Sequence, residues 1–162
     1  MESVSDIEGE IKTPENRKLD EIKNGFTRFA EGDIIFAKIT PCMENGKCAI
    51  AKNLTNDIGI GSTEFHVLTP KNNLIDTKYL WTFLRLKIFR KSAERFFIGS
   101  AGQQRVPVNF LEEIKIPLPP LPKQKEIAKK VEAIRVEIAE LKNKANSILE
   151  NTQKEIGKML KA

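Results

Sequence analysis

The chain has 162 residues, 40% hydrophobic, 7% aromatic and 30% charged, which suits one compact domain with an appendage and excludes a disordered tail. No run approaches the roughly 18 consecutive apolar residues of a membrane span, and the acidic start is unlike a signal peptide, so a soluble cytoplasmic protein with no membrane partner is expected. Lys and Arg number 27 against 22 Asp and Glu, for a net charge of +5, and the only two cysteines, Cys42 and Cys48, cannot build a disulfide framework.

Residues 1–31 carry few apolar side chains and are punctuated by Pro14, Asn16, Asn24 and Gly25, so extended segments and loops are expected there. Gly32-Asp33 signals a turn. Ile34–Ile39 then reads as a strand with too little alternation to be buried on one side only. Pro41 and Asn45-Gly46 mark a loop, and Lys47–Ala51 reads as the return strand. A third strand is expected over Ser62–Leu68, with Thr63, Phe65 and Val67 on one face and Ser62, Glu64, His66 and Leu68 on the other. Asp76 or Thr77 caps a helix expected to run to Arg90, with Leu80, Leu84 and Ile88 as its apolar stripe, Trp81 alongside, and Arg85 and Lys87 outward or flanking. A loop rich in side-chain donors follows over residues 97–107, then a short strand over Glu113–Ile116.

Four prolines within Pro117–Pro122 form a stiff linker and the sharpest boundary in the chain. Beyond it Ile127, Val131, Ile134, Ile138, Leu141, Ala145 and Ile148 recur in 4-3 alternation, and a stutter shifts the phase before Ile156 and Met159. A helix over 123–160 would measure about 57 Å, far beyond the roughly 30 Å diameter of a domain of this size, so a partner helix is expected along the seam. The fold class is therefore α+β: a small mixed-sheet domain over 1–116, a linker over 117–122 and one long coiled-coil helix.

Charge is uneven along the chain. Residues 1–33 hold nine acids and five bases, whereas residues 85–105 hold six bases (Arg85, Lys87, Arg90, Lys91, Arg95, Arg105) and one acid, Glu94. Such a cluster suits a phosphate backbone, and equally a solvated helix face. Catalysis lacks a constellation: His66 is the only histidine, there is no Walker loop, and Cys42, Cys48 and His66 do not have the spacing of a zinc site. Neither a metal nor a catalytic residue is expected in this chain.

Four pieces occur in a telling order: Gly32–Lys47 (GDIIFAKITPCMENGK), Gly61–Leu68 (GSTEFHVL), Ser100–Arg105 (SAGQQR), and Ile116–Pro122 (IPLPPLP) leading into Lys123-Gln-Lys-Glu-Ile127. Together they closely resemble a target recognition domain and the following helix of the specificity subunits of type I restriction–modification enzymes, over residues 1 to 160. The resemblance implies a non-catalytic, sequence-specific reader of double-stranded DNA, serving a bipartite target. It also implies methyltransferase and restriction subunits as partners, with S-adenosylmethionine, ATP and magnesium belonging to those partners and no cofactor here. The resemblance implies two domains and two antiparallel helices in such subunits, with Met1 here matching a point inside the family's domain; one domain and one helix suggest a half-subunit, a truncated gene or a fragment. For a half-subunit, an antiparallel homodimer through the seam is expected.

Base reading needs donors and acceptors on loops, with cations nearby. Three sets meet that need: Ser100, Gln103, Gln104 and Arg105; Lys38, Glu44, Asn45 and Lys47; and Ser62, Thr63, Glu64 and His66. For each the alternative is a solvated loop or a structural polar contact, and Glu64 is equally a partner for a nearby base. Competing functions are a coiled-coil protein-interaction module, an orphan DNA-binding dimer without a restriction partner, and a stand-alone nuclease, which the absent acidic metal cluster disfavours.

Overall fold

A computed structural model describes residues 1–12, 14–22, 25–71 and 73–160, so Asn24, expected in a loop, lies outside the described residues. The chain divides into two compact units, Met1–Lys125 and Glu126–Ala162. The first contains β1 (Thr27–Ala30), β2 (Ile34–Ala37), β3 (Cys48–Ile50), β4 (Ile58–Gly61), β5 (Phe65–Leu68), α1 (Thr77–Arg85), α2 (Lys87–Glu94) and α3 (Val108–Glu113). The last helix, α4 (Leu121–Met159), begins in it and forms the second. The class is α+β with a long C-terminal helix, as expected, but among the described residues the strand pairings are antiparallel where a mixed sheet was expected.

β2 is the centre of a three-stranded sheet in the order β3-β2-β5. Its four residues are all buried because both faces are covered. Ile34 and Phe36 join Cys48, Leu84, Phe89 and Phe110 in one apolar cluster, and Ile35 and Ala37 join Val4, Ala49 and Phe65 in another. That two-sided burial is the reason the sequence does not alternate there. Phe65 and Val67 belong to the second cluster while Leu68 packs on the first, matching the expected face assignment. The strand itself starts only at Phe65, so Ser62, Thr63 and Glu64 lie in the turn before it.

A second antiparallel pair, β1 with β4, was not foreseen as strands. Ile58-Gly-Ile-Gly61 is a weak strand by composition, since glycine has no side chain to pack. Here Gly59 faces Phe29 across the ladder, and a Cβ on Gly59 would stand 2.0 Å from that ring. The aromatic fills the space the glycine leaves.

Asp76 caps α1, accepting the Tyr79 amide at 2.9 Å. The expected single helix to Arg90 is broken at Leu86, whose ψ of 133° is extended. The break resets the helical phase, so the buried residues of α2 are Phe89 and Ala93, and Ile88 is 78% exposed where the unbroken stripe placed it inward. The expected strand over Glu113–Ile116 is also absent. Residues 108–113 form α3 instead, which turns Phe110 into the core against Phe89 and Phe96 at ring separations of 5.7 and 5.0 Å. Short apolar runs leave helix and strand undecided, and here the aromatic cluster decides.

α4 starts at Leu121, with Pro122 tolerated in a first turn whose amides have no helical partner. Its 39 residues span about 58 Å. Within the second unit Ile134, Ile138, Leu141 and Ile148 are 45–60% exposed. Ile127 and Val131 are half-buried and Ala145 is exposed.

Candidate nucleic-acid interface

The three polar segments singled out from the sequence are far apart in the chain, and the main chain knits them together. Lys38 follows β2 directly; its amide donates to Glu64 O at 3.0 Å and its carbonyl accepts from Val106 N at 2.8 Å. One step on, Thr40 N donates to Gln104 O at 2.9 Å. Arg105 bridges to Ile39 on one side and to Ile98 on the other. The Ile98–Arg105 pairing, with amide–carbonyl bonds of 3.1 and 2.9 Å, closes residues 99–104 into a tight loop. Gly99 has φ +111° and lies against the Gln103 carbonyl, so a side chain there would strain the backbone and crowd that oxygen. Ser100 and Gln103 are exposed at the loop tip, and Gln104 is half-buried.

Side chains reinforce the knit. Arg105 Nε donates to both Glu64 carboxylate oxygens, at 2.9 and 3.1 Å, and its Nη2 donates to Oε1 at 2.8 Å. Its Nη1 donates to Gln103 O at 2.7 Å. Glu64 is thus the structural partner of a nearby base, and the Arg105 guanidinium holds a carboxylate with the same fork that would grip a guanine edge. The hydrogen bond from Arg105 holds the Glu64 carboxyl below its ordinary range, with Lys38 adding a weaker pull in the same direction. His66 is half-buried and its Nε2 lies 2.8 Å from Val106 O, to which it donates as the Nε2–H tautomer. Burial lowers the pKa of this ring, which favours the neutral imidazole. Ser62 Oγ accepts the Glu64 amide at 3.1 Å, and Thr63 is exposed beside it.

The segment from Lys38 to Lys47 forms a compact turn between β2 and β3. Met43 is wholly buried beneath it, and Asn45 N and Gly46 N donate to Pro41 O and Met43 O at 3.0 and 2.9 Å. The Thr40 hydroxyl bonds the Glu44 carboxylate. Lys47 Nζ donates to Met1 O at 3.0 Å, while Asn45 is exposed.

Much of the cationic cluster over 85–105 is engaged by the protein itself. Arg85 donates to the carbonyls of Gly46, Asp6 and Ile7 at 2.7–2.9 Å, and its guanidinium sits 5.3 Å from the Trp81 ring centre. It flanks the apolar stripe and points toward the sheet. Arg90 donates to Glu44 O, and Lys91 pairs with Glu94 at 3.0 Å. Lys87 and Arg95 are exposed. Sequence reasoning missed Thr40 and Arg90 as members of this region; the Thr40–Glu44 spacing of four was the available signal.

Among the described residues, no three His, Cys, Asp or Glu side chains gather as a metal-holding group. The Cys48 thiol is buried and pushed up to about 12, so it does not supply a thiolate near neutral pH. No helix among the described residues is long and apolar enough to cross a membrane.

Residues 7–151 match the model of the type I restriction modification DNA specificity domain. The chain belongs to that family. It is 50% identical over 113 residues to the EcoAI specificity subunit of a type I restriction enzyme from Escherichia coli, and 42% identical over 113 residues to the EcoEI specificity subunit from the same species. Each match covers 70% of this chain and 19% of the relative, so the chain spans about a fifth of the length of these specificity subunits. The fold of the specificity domain is shared with the HsdS subunit from Thermoanaerobacter tengcongensis, with a TM-score of 0.71 at 24% identity over 86% of this chain and 35% of that one. A chain from a structure on complex assembly and conformational transition of the type I R-M system gives 0.73 at 23% identity, over 88% and 36%.

Proposed function

We propose that this chain reads double-stranded DNA in a sequence-specific way, as the target-recognition half of a type I restriction–modification specificity subunit. The observation that carries this is the knitting of three polar segments, at residues 38–40, 62–66 and 98–106, by main-chain bonds and the Arg105–Glu64 pair, with the turn to Lys47 continuing from the first. Exposed Ser100, Gln103, Asn45 and Thr63 supply donors and acceptors for base edges, and Lys38 supplies positive charge beside them. A glutamine or asparagine can pair bidentately with adenine, which makes Gln103 and Asn45 the base readers. Arg105, whose donors serve Glu64 and Gln103 O, shapes the loop and would reach a guanine only by exchanging partners.

In this reading the chain carries no catalytic group. A methyltransferase subunit supplies S-adenosylmethionine chemistry, and a restriction subunit supplies ATP- and magnesium-dependent chemistry. The seam from Ile127 to Ile148 pairs with a second helix, in an antiparallel homodimer if the chain acts as a half-subunit. Two identical domains at the ends of such a rod would read a symmetric, bipartite site.

The test is the salt dependence of duplex binding. The logarithm of affinity should fall linearly with the logarithm of salt concentration, by roughly 0.9 for each phosphate contacted, with several contacts in all. A chain that acts only as a protein-interaction module would shift no duplex even at low salt.

A further inference from the structure

We infer that Arg85 and Arg90 act as a clamp that presents Asn45 to DNA, and that Arg90 is a positioning residue and makes no phosphate contact. The inference rests on the proposed DNA-reading role of the 38–47 turn. Arg90 donates from Nη1 to Glu44 O, and Arg85 donates from Nη1 to Gly46 O at 2.7 Å. The two guanidinium groups therefore grip the main-chain carbonyls on either side of Asn45, whose own side chain is exposed. They are tied to each other as well, since Arg90 Nε donates to Arg85 O at 3.3 Å. Gly46 allows this approach: its φ is +84°, and a Cβ there would stand 3.1 Å from Arg90 Cζ.

A planar, permanently charged fork suits such a carbonyl grip, and a turn fixed in advance loses less freedom when it binds. Both arginines belong to the basic cluster that composition leaves open between phosphate contact and a solvated helix face. Arg90 Nε and Nη1 and both Nη groups of Arg85 donate to carbonyls of the protein, so their contribution to DNA reading is geometric.

The test uses the whole chain and a duplex enriched by it from a randomised pool, with an unrelated duplex for comparison. Arg90→Met and Gly46→Ala should each weaken binding to the enriched duplex about tenfold or more, with the salt slope unchanged, and should speed hydrogen exchange at amides 44–47. Gly46→Ala disturbs the same contact without altering any charge, and it carries the test if Arg90→Met fails to fold. The clamp is overturned if Arg90→Met weakens both duplexes equally and flattens the salt slope by about one, as loss of a phosphate contact would. Unchanged exchange at the turn also overturns it. If the unmodified chain enriches no sequence, the DNA-reading role fails, and the exchange measurement still decides whether the clamp exists.

Discussion

The side-chain oxygen of Gln124 accepts the backbone amide of Asp76 at 2.8 Å, across 48 residues of chain. The Gln124 amide nitrogen donates to Leu74 O and Pro119 O at 3.1 and 2.7 Å, and the residue is wholly buried. Both donor hydrogens and the oxygen are thus in use. Asp76 is the cap of α1, so one glutamine ties the proline run and the first turn of α4 to the helix start behind the sheet. Gln124 in the Pro-Lys-Gln-Lys sequence thus has a structural role.

Gln124→Leu should therefore cost about 1–3 kcal/mol, since it leaves one part-buried amide and two carbonyls without their partner. Urea unfolding measures it. An exposed neighbour such as Lys125→Ala should stay within about 0.5 kcal/mol.

The broken helix makes a paired prediction. Phe89 touches the rings of Phe36, Phe83 and Phe110 at 5.3–6.0 Å and is 3% exposed, so Phe89→Ala should cost about 3–5 kcal/mol. Ile88→Ala, one residue earlier and 78% exposed, should cost less than about 0.5 kcal/mol. If the unbroken helix read from the sequence were right, the order would reverse.

Acid should act on the interface in two separate windows. His66 has a pKa below its ordinary value in the folded chain, so the unfolded chain takes up the proton first as pH falls below about 6.5, and stability declines from there. Glu64 is also depressed, by Arg105; its contribution is fully present above the unfolded value of about 4.3 and is lost as pH falls through the lower folded value. Urea midpoints of His66→Gln should lose the first decline and keep the second. Glu64→Gln should show the opposite pattern.

The seam on α4 predicts an association. Ile138 and Leu141 are 45% and 60% exposed in the single chain, and a helix with one apolar ridge is not stable unaided at this length. Sedimentation at micromolar concentration should give a dimer for the unmodified chain and a monomer for Ile138→Glu with Leu141→Glu. A monomeric unmodified chain would count against pairing through this ridge.

What the sequence made legible follows from how local each signal is. The Asp76 cap, the two-sided β2 strand and the long heptad helix are written in neighbouring residues, and all three appear. Phe29 over Gly59 could not be read, because the glycine makes sense only with the ring from another strand. The break at Leu86 was hidden for a similar reason: Ile88 continues the helical period, and the pull of Phe89 toward Phe36 and Phe110 is tertiary. In the candidate interface the residue types were visible and their grouping was not. Arg105 and Glu64 are 41 residues apart, and no spacing rule joins them.

In the proposed function, residues 38–47, 62–66 and 98–106 form one DNA-reading surface. This is tested most directly by following backbone amide NMR signals while a duplex enriched from a randomised pool is added to the chain. The largest shifts should fall together in those three segments and saturate at a single duplex concentration. Shifts confined to other surfaces, or none in these segments at saturation, would contradict the account.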